Sequence, residues 1–255
     1  LPVLSLPTDR PRPAIQTFRG ANHRVTLDAK TSQSLDAMSS REGATPFMVL
    51  LGLFASLLNR YTGQDDIVIG TPIAGRMRTE LEPLIGLFVN TLALRLDLSG
   101  NPEFRTLLHR VRETALGAYA HQEVPFEKLV EALHLQRDLS RSPLFQEMNI
   151  LQNSPVPSLR LGDLVLDVIP DAGETAKFDL TLEIECHDNR YVACWNYNRD
   201  LFDPATIERM ATHYENLLRA VTTQPAQPLS DLPILSGEEK EELLVRFNAT
   251  KQNYP

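Results

Sequence analysis

The sequence has little cysteine, a deficit of basic residues and no long hydrophobic run. Two cysteines among 255 residues exclude a disulfide scaffold and a metal site built from several cysteines, and they are typical of a reducing, cytoplasmic setting. The 25 Lys and Arg face 33 Asp and Glu, and the formal net charge of -8 argues against nucleic acid or an anionic membrane as main partner. The longest uncharged apolar run, residues 47–58, is shorter than the roughly 20 residues that span a bilayer. It predicts a buried helix.

The sequence also lacks a self-contained catalytic motif. It has no G-x-S-x-G, G-x-x-x-x-G-K-[ST], G-x-G-x-x-G or H-E-x-x-H segment, and its six histidines show no metal-ligand spacing. We therefore predict no metal site and assign no catalytic residue to this chain. One alternative stays open: His134 and Asp138 nearly match the acyltransferase motif H-x-x-x-D-G, although Leu139 stands where that motif has glycine.

The hydrophobic pattern predicts an α/β protein with a mixed sheet and flanking helices. Strands are expected at 23–27, 66–71, 89–98, 145–151, 164–169, 178–186 and 191–198. Helices are expected at 28–42, 46–61 and 126–134, with two more that begin near 101 and at 204. Thr45 and Pro46 form a favourable helix start, and the helix that follows is apolar nearly all round, which places it at the centre of the fold.

The two cysteines flank a predicted two-residue hairpin turn at 188–189. In that register Cys194 lies opposite Glu183 and Cys186 lies opposite Tyr191, so the thiols are not cross-strand neighbours. We predict two buried free thiols and no disulfide.

Three segments are not explained by core packing alone. In GTPIAGRMRTELEPLIGLFVNT, residues 70–91, glycines at strand ends suit close approach of backbone or ligand, although ordinary turn chemistry accounts for them equally well. In HQEVPFE, residues 121–127, the proline also fits a simple break between helices. In RDLSRSPL, residues 137–144, two arginines and one aspartate suit an ion-pair network that fixes a loop between helix and strand.

Taken in order, IGLFVNT, HQEVPFE and RDLSRSPL resemble the three C-terminal signature motifs of condensation domains from nonribosomal peptide synthetases. The matching residues are Gly86, Phe88, Val89, Asn90 and Thr91, then His121, Gln122, Pro125, Phe126 and Glu127, then Arg137, Asp138, Ser140, Arg141 and Pro143. The phrases LPTDRPRP, GTPIAGR and KFDLTLEI agree with the same family. Ser142 departs from the asparagine that is common there, and we expect the short polar side chain to keep the turn.

The resemblance implies one lobe of a two-lobed, chloramphenicol acetyltransferase-like fold. It divides the chain into an interlobe linker (1–20), the C-terminal, acceptor-side lobe (21–225), and a linker with the start of an adenylation domain (226–255). The family's H-H-x-x-x-D-G motif belongs to the N-terminal lobe and does not occur here, so we expect the fragment alone to be inactive. The alternative is a non-catalytic module that docks a carrier protein or an adenylation domain.

The resemblance also implies partners and site residues. The partners are the N-terminal lobe, a downstream adenylation domain and an acceptor carrier protein, and the substrates are held on the carrier proteins' 4′-phosphopantetheine, with no cofactor bound directly. A floor loop is expected from Thr71 to about Leu84, and a latch hairpin near 171–177. The candidates for the floor loop and tunnel wall are Thr71, Arg76, Asn90, Asn149, Gln152 and Asn153. The polar residues of the strand at 145–153 have an equally good alternative role in strand-end hydrogen bonds.

Overall fold

One six-stranded mixed sheet, with most of the helices packed on one face, forms the body of the protein. The computed structural model describes residues 3–76, 78–135, 138–152, 159–161, 164–166 and 174–249. The strands are β1 (Gly20–Thr26), β2 (Asp66–Ile73), β3 (Asn90–Asp97), β4 (Glu147–Gln152), β5 (Leu159–Leu161), β6 (Leu164–Leu166), β7 (Leu180–His187) and β8 (Arg190–Asn198). The helices are α1 (Ala29–Arg41), α2 (Pro46–Thr62), α3 (Phe104–Ala120), α4 (Phe126–Ala132), α5 (Pro204–Thr223) and α6 (Gly237–Glu241). The predicted α/β class with a mixed sheet is confirmed.

The strand order places three parallel strands side by side. The sheet runs β1-β8-β7-β4-β2-β3, with β4 parallel to both β2 and β7 and the other neighbours antiparallel. The carboxyl ends of β2, β4 and β7 therefore meet at one edge of the sheet. Strands β5 and β6 pair only with each other.

Helix α2 is the centre of the core, as its apolar sequence predicts. Thr45 caps it by accepting a hydrogen bond from the backbone N–H of Met48, and Gly63 ends it in the left-handed conformation, with φ 68°. Phe54 on this helix packs edge-on against Trp195 of β8. The described part of the chain has no single helix long and apolar enough to cross a membrane; α1 and α2, bent by 107°, pass that test only as a pair.

The opposite face of the sheet carries a smaller aromatic cluster. Phe145 lies between Phe126 of α4 and Phe178, with ring centroids 5.6 and 5.4 Å apart. The cluster explains a glycine within β2, because a Cβ on Gly70 would stand 2.1 Å from the Phe145 ring.

The hairpin β7–β8 has the predicted register, but one of its two thiols is not buried as predicted. The turn residues Asp188 and Asn189 both adopt positive φ, and Glu183 pairs with Cys194 as expected. Cys194 is buried, and burial raises the pKa of its thiol. Cys186 is exposed, so the prediction of two buried thiols is wrong for this residue. It lies next to the last residue of β7, at the carboxyl end of the strand, and borders a cavity there.

The remaining boundaries differ by a few residues where tertiary contacts extend or shorten an element. Strand β1 begins three residues before the prediction, because its pairing with β8 continues to Gly20. Strand β4 begins at Glu147 instead of 145, after Leu144 adopts a φ of 74° and turns Phe145 into the aromatic cluster. Of the strand predicted at 164–169, residues 164–166 are confirmed and the others lie outside the described residues.

The segment before β1 is attached to the lobe through a charged contact. Both terminal nitrogens of Arg12 donate to the carboxylate of Asp179, and Nη1 also donates to the carbonyl of Ser140 at 3.2 Å. Asp179 is almost fully buried. This ion pair joins two of the phrases noted in the sequence, RPRP and KFDL, across 167 residues of chain.

Candidate functional site

The side chain of Asn90 joins the first and second motif segments. Its amide nitrogen donates to the backbone carbonyls of Gln122 and Val124, at 2.9 and 2.8 Å, and its amide oxygen accepts from the backbone N–H of Phe126 at 3.1 Å. Asn90 is the first residue of β3, and Phe126 is the first residue of α4. One amide group thus fixes the start of α4 to the edge of the sheet and satisfies a helix N–H that has no partner within the helix.

The loop between β2 and β3 is folded around Arg76. The guanidinium group lies over the Phe88 ring, 4.3 Å from its centroid, and donates to the carbonyls of Leu81 and Glu82. Gly75 has a φ of 65°, and a Cβ there would stand 1.9 Å from the carbonyl oxygen of Phe88. Arg76, predicted as a floor-loop residue, therefore stabilises the conformation of the loop between β2 and β3.

The first two motif segments line an open cavity of about 630 Å³. Its walls come from the start of β3 and from the turn before α4, and they include the motif residues Phe88, Val89, Asn90, Thr91, Gln122, Pro125, Phe126 and Glu127. Gly86 packs against the Phe88 ring, and His121 caps α3 at the other side of the same turn. The structure thus brings together two segments that are separated by about 30 residues of chain.

Apolar side chains around this cavity point into solvent. Ile85 and Leu87 are almost completely exposed, at 104% and 91%, and Leu84, Val89 and Val124 are also exposed. Several exposed apolar side chains near one cavity favour an interaction site. We name these five residues the apolar rim.

The third motif segment forms one ion pair of the network that its sequence predicts. Arg141 Nε lies 2.8 Å from the Asp138 carboxylate, as a charge contact without hydrogen-bond alignment. Ser140 donates to the same carboxylate through its backbone N–H and its hydroxyl, and these hydrogen bonds, with Arg141, lower the pKa of Asp138. Pro143 accepts from the backbone N–H of Phe145. Arg137 lies outside the described residues.

Ser142 stands where the resemblance has asparagine, and it forms two hydrogen bonds before β4. Its hydroxyl donates to the carbonyl of Lys177 at 3.2 Å, and its own carbonyl accepts from the side chain of Gln146 at 3.0 Å. That serine preserves the turn stays a prediction.

The alternative acyltransferase pair has no geometric support. Asp138 is held by Ser140 and Arg141, and His134 is an exposed residue with a φ of 48° just after α4. An acid–base pair needs its imidazole and carboxylate within hydrogen-bond reach. In the described ranges, His, Cys, Asp and Glu side chains also form no group of three suited to a metal ion.

The structure separates the other predicted wall residues. Thr71, almost fully buried, borders a second cavity of about 370 Å³ at the carboxyl ends of β2, β4 and β7. Asn149 is 0% exposed and pairs with Leu182 on the helix-covered face, whereas Gln152 is exposed at the end of β4. Three residues of spacing put these two side chains on opposite faces of the strand, so they do not share one wall. Asn153 lies outside the described residues.

The described part of the predicted latch pairs with the segment that leads into β1. Thr175 forms a β-bridge with Arg19, and Ala176 donates through its backbone N–H to the carbonyl of Phe18. Residues 171–173 of that prediction lie outside the described residues.

The sequence did not predict that the carboxyl group of Glu147 is buried. Glu147 is 1% exposed, and neither of its oxygens has a hydrogen-bond partner among the described residues. Burial and the neighbouring Asp179 raise its pKa well above the usual value, and the opposing effect of Arg12 is smaller. The available signal was a charged residue inside the apolar run FQEMNIL.

Comparison with known sequences gives the same family throughout. The family model described as "Condensation domain" matches residues 1–244. The chain is 54% identical over 251 residues to a linear gramicidin synthase subunit of Brevibacillus parabrevis, covering 98% of this chain and 3% of that protein. It is 42% identical to surfactin synthase subunit 1 of Bacillus subtilis (strain 168), covering 100% and 7%. The chain thus spans a small fraction of the curated relatives that it matches.

Solved structures agree with the sequences. A four-domain nonribosomal peptide synthetase bound to AMP and glycine has a TM-score of 0.88 at 27% identity, covering 93% of this chain and 19% of that one. The X-domain from teicoplanin biosynthesis has a TM-score of 0.80 at 32% identity, covering 91% and 54%. On the family model and the sequence identities together, the chain belongs to the condensation domain family of nonribosomal peptide synthetases.

Proposed function

We propose that this chain is the acceptor-side lobe of a peptide-bond-forming condensation domain and that it is inactive alone. The observation that carries the proposal is the coverage of the X-domain. Nearly all of this chain, 91%, aligns with only 54% of that protein, as expected for one lobe of two. The catalytic motif H-H-x-x-x-D-G is not in this sequence and would come from the N-terminal lobe.

The reaction proposed is aminolysis of a thioester. The amine of the acceptor aminoacyl group attacks the donor carbonyl, a C–N bond forms, the C–S bond breaks, and the donor thiol leaves with the proton that the amine gives up. This reaction is favourable in itself, so the protein has mainly to align the two reactants and exclude water. Both are carried on the 4′-phosphopantetheine of carrier proteins, so no cofactor has to be bound directly.

The surfaces of the lobe fit the proposed partners. The apolar rim is a surface for the N-terminal lobe, because an isolated lobe would otherwise leave five apolar side chains in water. Beyond α6, the exposed side chains of Leu243, Leu244, Val245 and Phe247 suit an adenylation domain. We assign the acceptor carrier protein to this lobe as well, and the assembly to the cytoplasm.

A chimera tests this proposal. The chain would replace the matching 251-residue region of the linear gramicidin synthase subunit, where 54% identity favours correct packing. Mass spectrometry of the downstream carrier protein should detect an amide product with the chimera and none with the isolated chain. A chimera that folds, loads its carriers and forms no amide would contradict the assignment.

A second candidate is a module that binds another protein without catalysis. It is favoured by the X-domain, whose structure has been solved in a complex with OxyB and which is 32% identical to this chain. A degenerate H-H-x-x-x-D-G segment in the N-terminal lobe of the parent protein would support this candidate, whereas an intact one supports catalysis.

A further inference from the structure

One arginine makes three of the hydrogen bonds that hold the segment after α5 to the rest of the protein. Arg60 of α2 donates through Nη1 to the carbonyls of Leu229, Ser230 and Leu232, at 2.9, 2.9 and 3.1 Å. The side chains of Leu229 and Leu232 are buried in the main core. We call residues 228–239 the strap. Its first residues are packed on the protein and do not form a free linker.

Two residues of α5 continue the attachment. The side-chain amide of Asn216 donates to the carbonyl of Ile234 at 2.9 Å. One turn earlier, His213 is only 4% exposed, and both of its ring nitrogens have a partner. Nδ1 lies 2.8 Å from the hydroxyl of Tyr61, and Nε2 lies 2.9 Å from Oε1 of Glu239.

Glu239 also starts α6. Its second carboxylate oxygen accepts from the backbone N–H of Ser236, whose hydroxyl accepts from the backbone N–H of Glu239. Burial alone would raise the pKa of Glu239, but the hydrogen bonds from Ser236 and His213 outweigh it and lower that pKa. The same ionised carboxylate thus nucleates α6 and binds the imidazole.

The contact suits both protonation states of His213. With a neutral ring, the Tyr61 hydroxyl donates to Nδ1, and Nε2–H donates to Glu239. With a charged ring, Nδ1–H donates to the Tyr61 oxygen instead, and the second bond remains. Arg209 on α5 is a further charged group that acts on Tyr61.

We propose that Tyr61, His213 and Glu239 form a clasp that sets the position of α6 on the lobe. When the clasp opens, α6 and the turn that follows it, up to Phe247, detach as one unit, while the part held by Arg60 stays in place. His213 is therefore a positioning residue: it acts through Glu239 on the exposed apolar side chains beyond α6. The clasp is a property of the folded lobe, so its test does not depend on the proposed peptide-bond formation.

Hydrogen exchange of the 255-residue chain tests the clasp. In the variant His213→Leu, amides of residues 237–247 should exchange about tenfold faster or more, the size expected when a hydrogen bond to a charged group is lost. The amide of Leu229, which donates to the carbonyl of Pro102, should keep its rate. Unchanged rates in 237–247, or equal acceleration throughout the chain, would overturn the proposal.

Glu239→Ala with Ser236→Ala as its control keeps the test decisive if His213→Leu fails to fold. Both variants break the capping box of α6, but only Glu239→Ala also removes the contact with His213. Glu239→Ala should accelerate exchange in 237–247 more than Ser236→Ala does; equal effects would overturn the clasp. Where the double variant folds, Glu239→Ala should add little to His213→Leu, because the two side chains share one interaction.

Discussion

Helix α2 and the loop that joins β2 to β3 are both rich in apolar residues, but those of the helix are buried and several of those in the loop are exposed. In α2 every residue from Phe47 to Leu58 is buried, whereas the loop leaves Ile85 and Leu87 in solvent. The helix satisfies its own backbone hydrogen bonds, so it can be enclosed by the sheet and by α1, α3 and α5. The loop fixes its backbone through Arg76 and Asn90 and leaves its side chains free for a partner.

The difference shows that hydrophobicity alone does not distinguish core from interface. Apolar residues that recur on a regular element bury one another within the lobe. In the loop that Arg76 and Phe88 stabilise through a cation–π contact, several apolar side chains stay exposed and can contact a partner. The comparison predicts that substitutions in α2 act on stability and that substitutions in the apolar rim act on assembly.

The largest expected effect is that of Phe54→Ala. This variant removes a fully buried ring that packs on Trp195 and should lower the free energy of unfolding by about 3–5 kcal/mol. Urea denaturation followed by circular dichroism measures it. A loss below about 1 kcal/mol would mean that the core around α2 relaxes to fill the cavity.

Asn90→Ala should come next, because it removes three hydrogen bonds that hold the loop to the start of α4. We expect a loss of about 2 kcal/mol, with faster amide exchange at Phe126. Gln122→Ala is the matched control, since the Gln122 backbone carbonyl, not its side chain, accepts from Asn90. Equal losses in the two variants would contradict the role given to the Asn90 amide.

Glu147→Gln tests the buried carboxyl group of Glu147 and should stabilise the protein. The folded-state pKa of Glu147 is raised, so the folded protein binds more protons than the unfolded chain and loses stability as pH rises above about 4.3, the ordinary glutamate pKa. Glutamine stays neutral. Its advantage in urea denaturation should exceed about 1.4 kcal/mol at pH 8, the free energy of one pKa unit, and should vanish towards pH 4.

An exposed glutamate provides the control for that pH profile. Glu80→Gln should shift the stability of the protein little at either pH, because Glu80 lies in the exposed part of the loop. A pH-independent gain from Glu147→Gln would show that the pKa of Glu147 is not raised in the folded state.

The smallest effect on stability should come from Leu87→Ser. Its side chain is 91% exposed, so the free energy of unfolding should change by less than about 0.5 kcal/mol. In the chimera with the gramicidin synthase, the same substitution should reduce amide formation, because the rim would no longer pack on the N-terminal lobe. Full activity of that chimera would remove the apolar rim from the proposed interface.

Local rules predicted most of the elements and only part of the site. The caps of α2, the hairpin register and the alternation in β7 depend on neighbours in sequence, and each is confirmed. The convergence of the first two motifs on one cavity depends on the three bonds of Asn90, which cross more than 30 residues. Asn149 and Gln152 are polar residues of one strand and were both predicted to line the tunnel. Strand alternation places their side chains on opposite faces of the sheet, and the helices cover only that of Asn149.

The three ordered motifs indicated the family from the sequence, and the shortage of cysteine and the acidic balance predicted a protein without disulfides and without nucleic acid as its main partner. Tertiary structure alone decided which apolar residues are core and which form a rim, that Cys186 is exposed, and that the strap is bound to the lobe. The physical reason is that burial depends on which elements meet. Residues far apart in the chain, such as Arg12 with Asp179 and Tyr61 with His213, share an environment that no local pattern records.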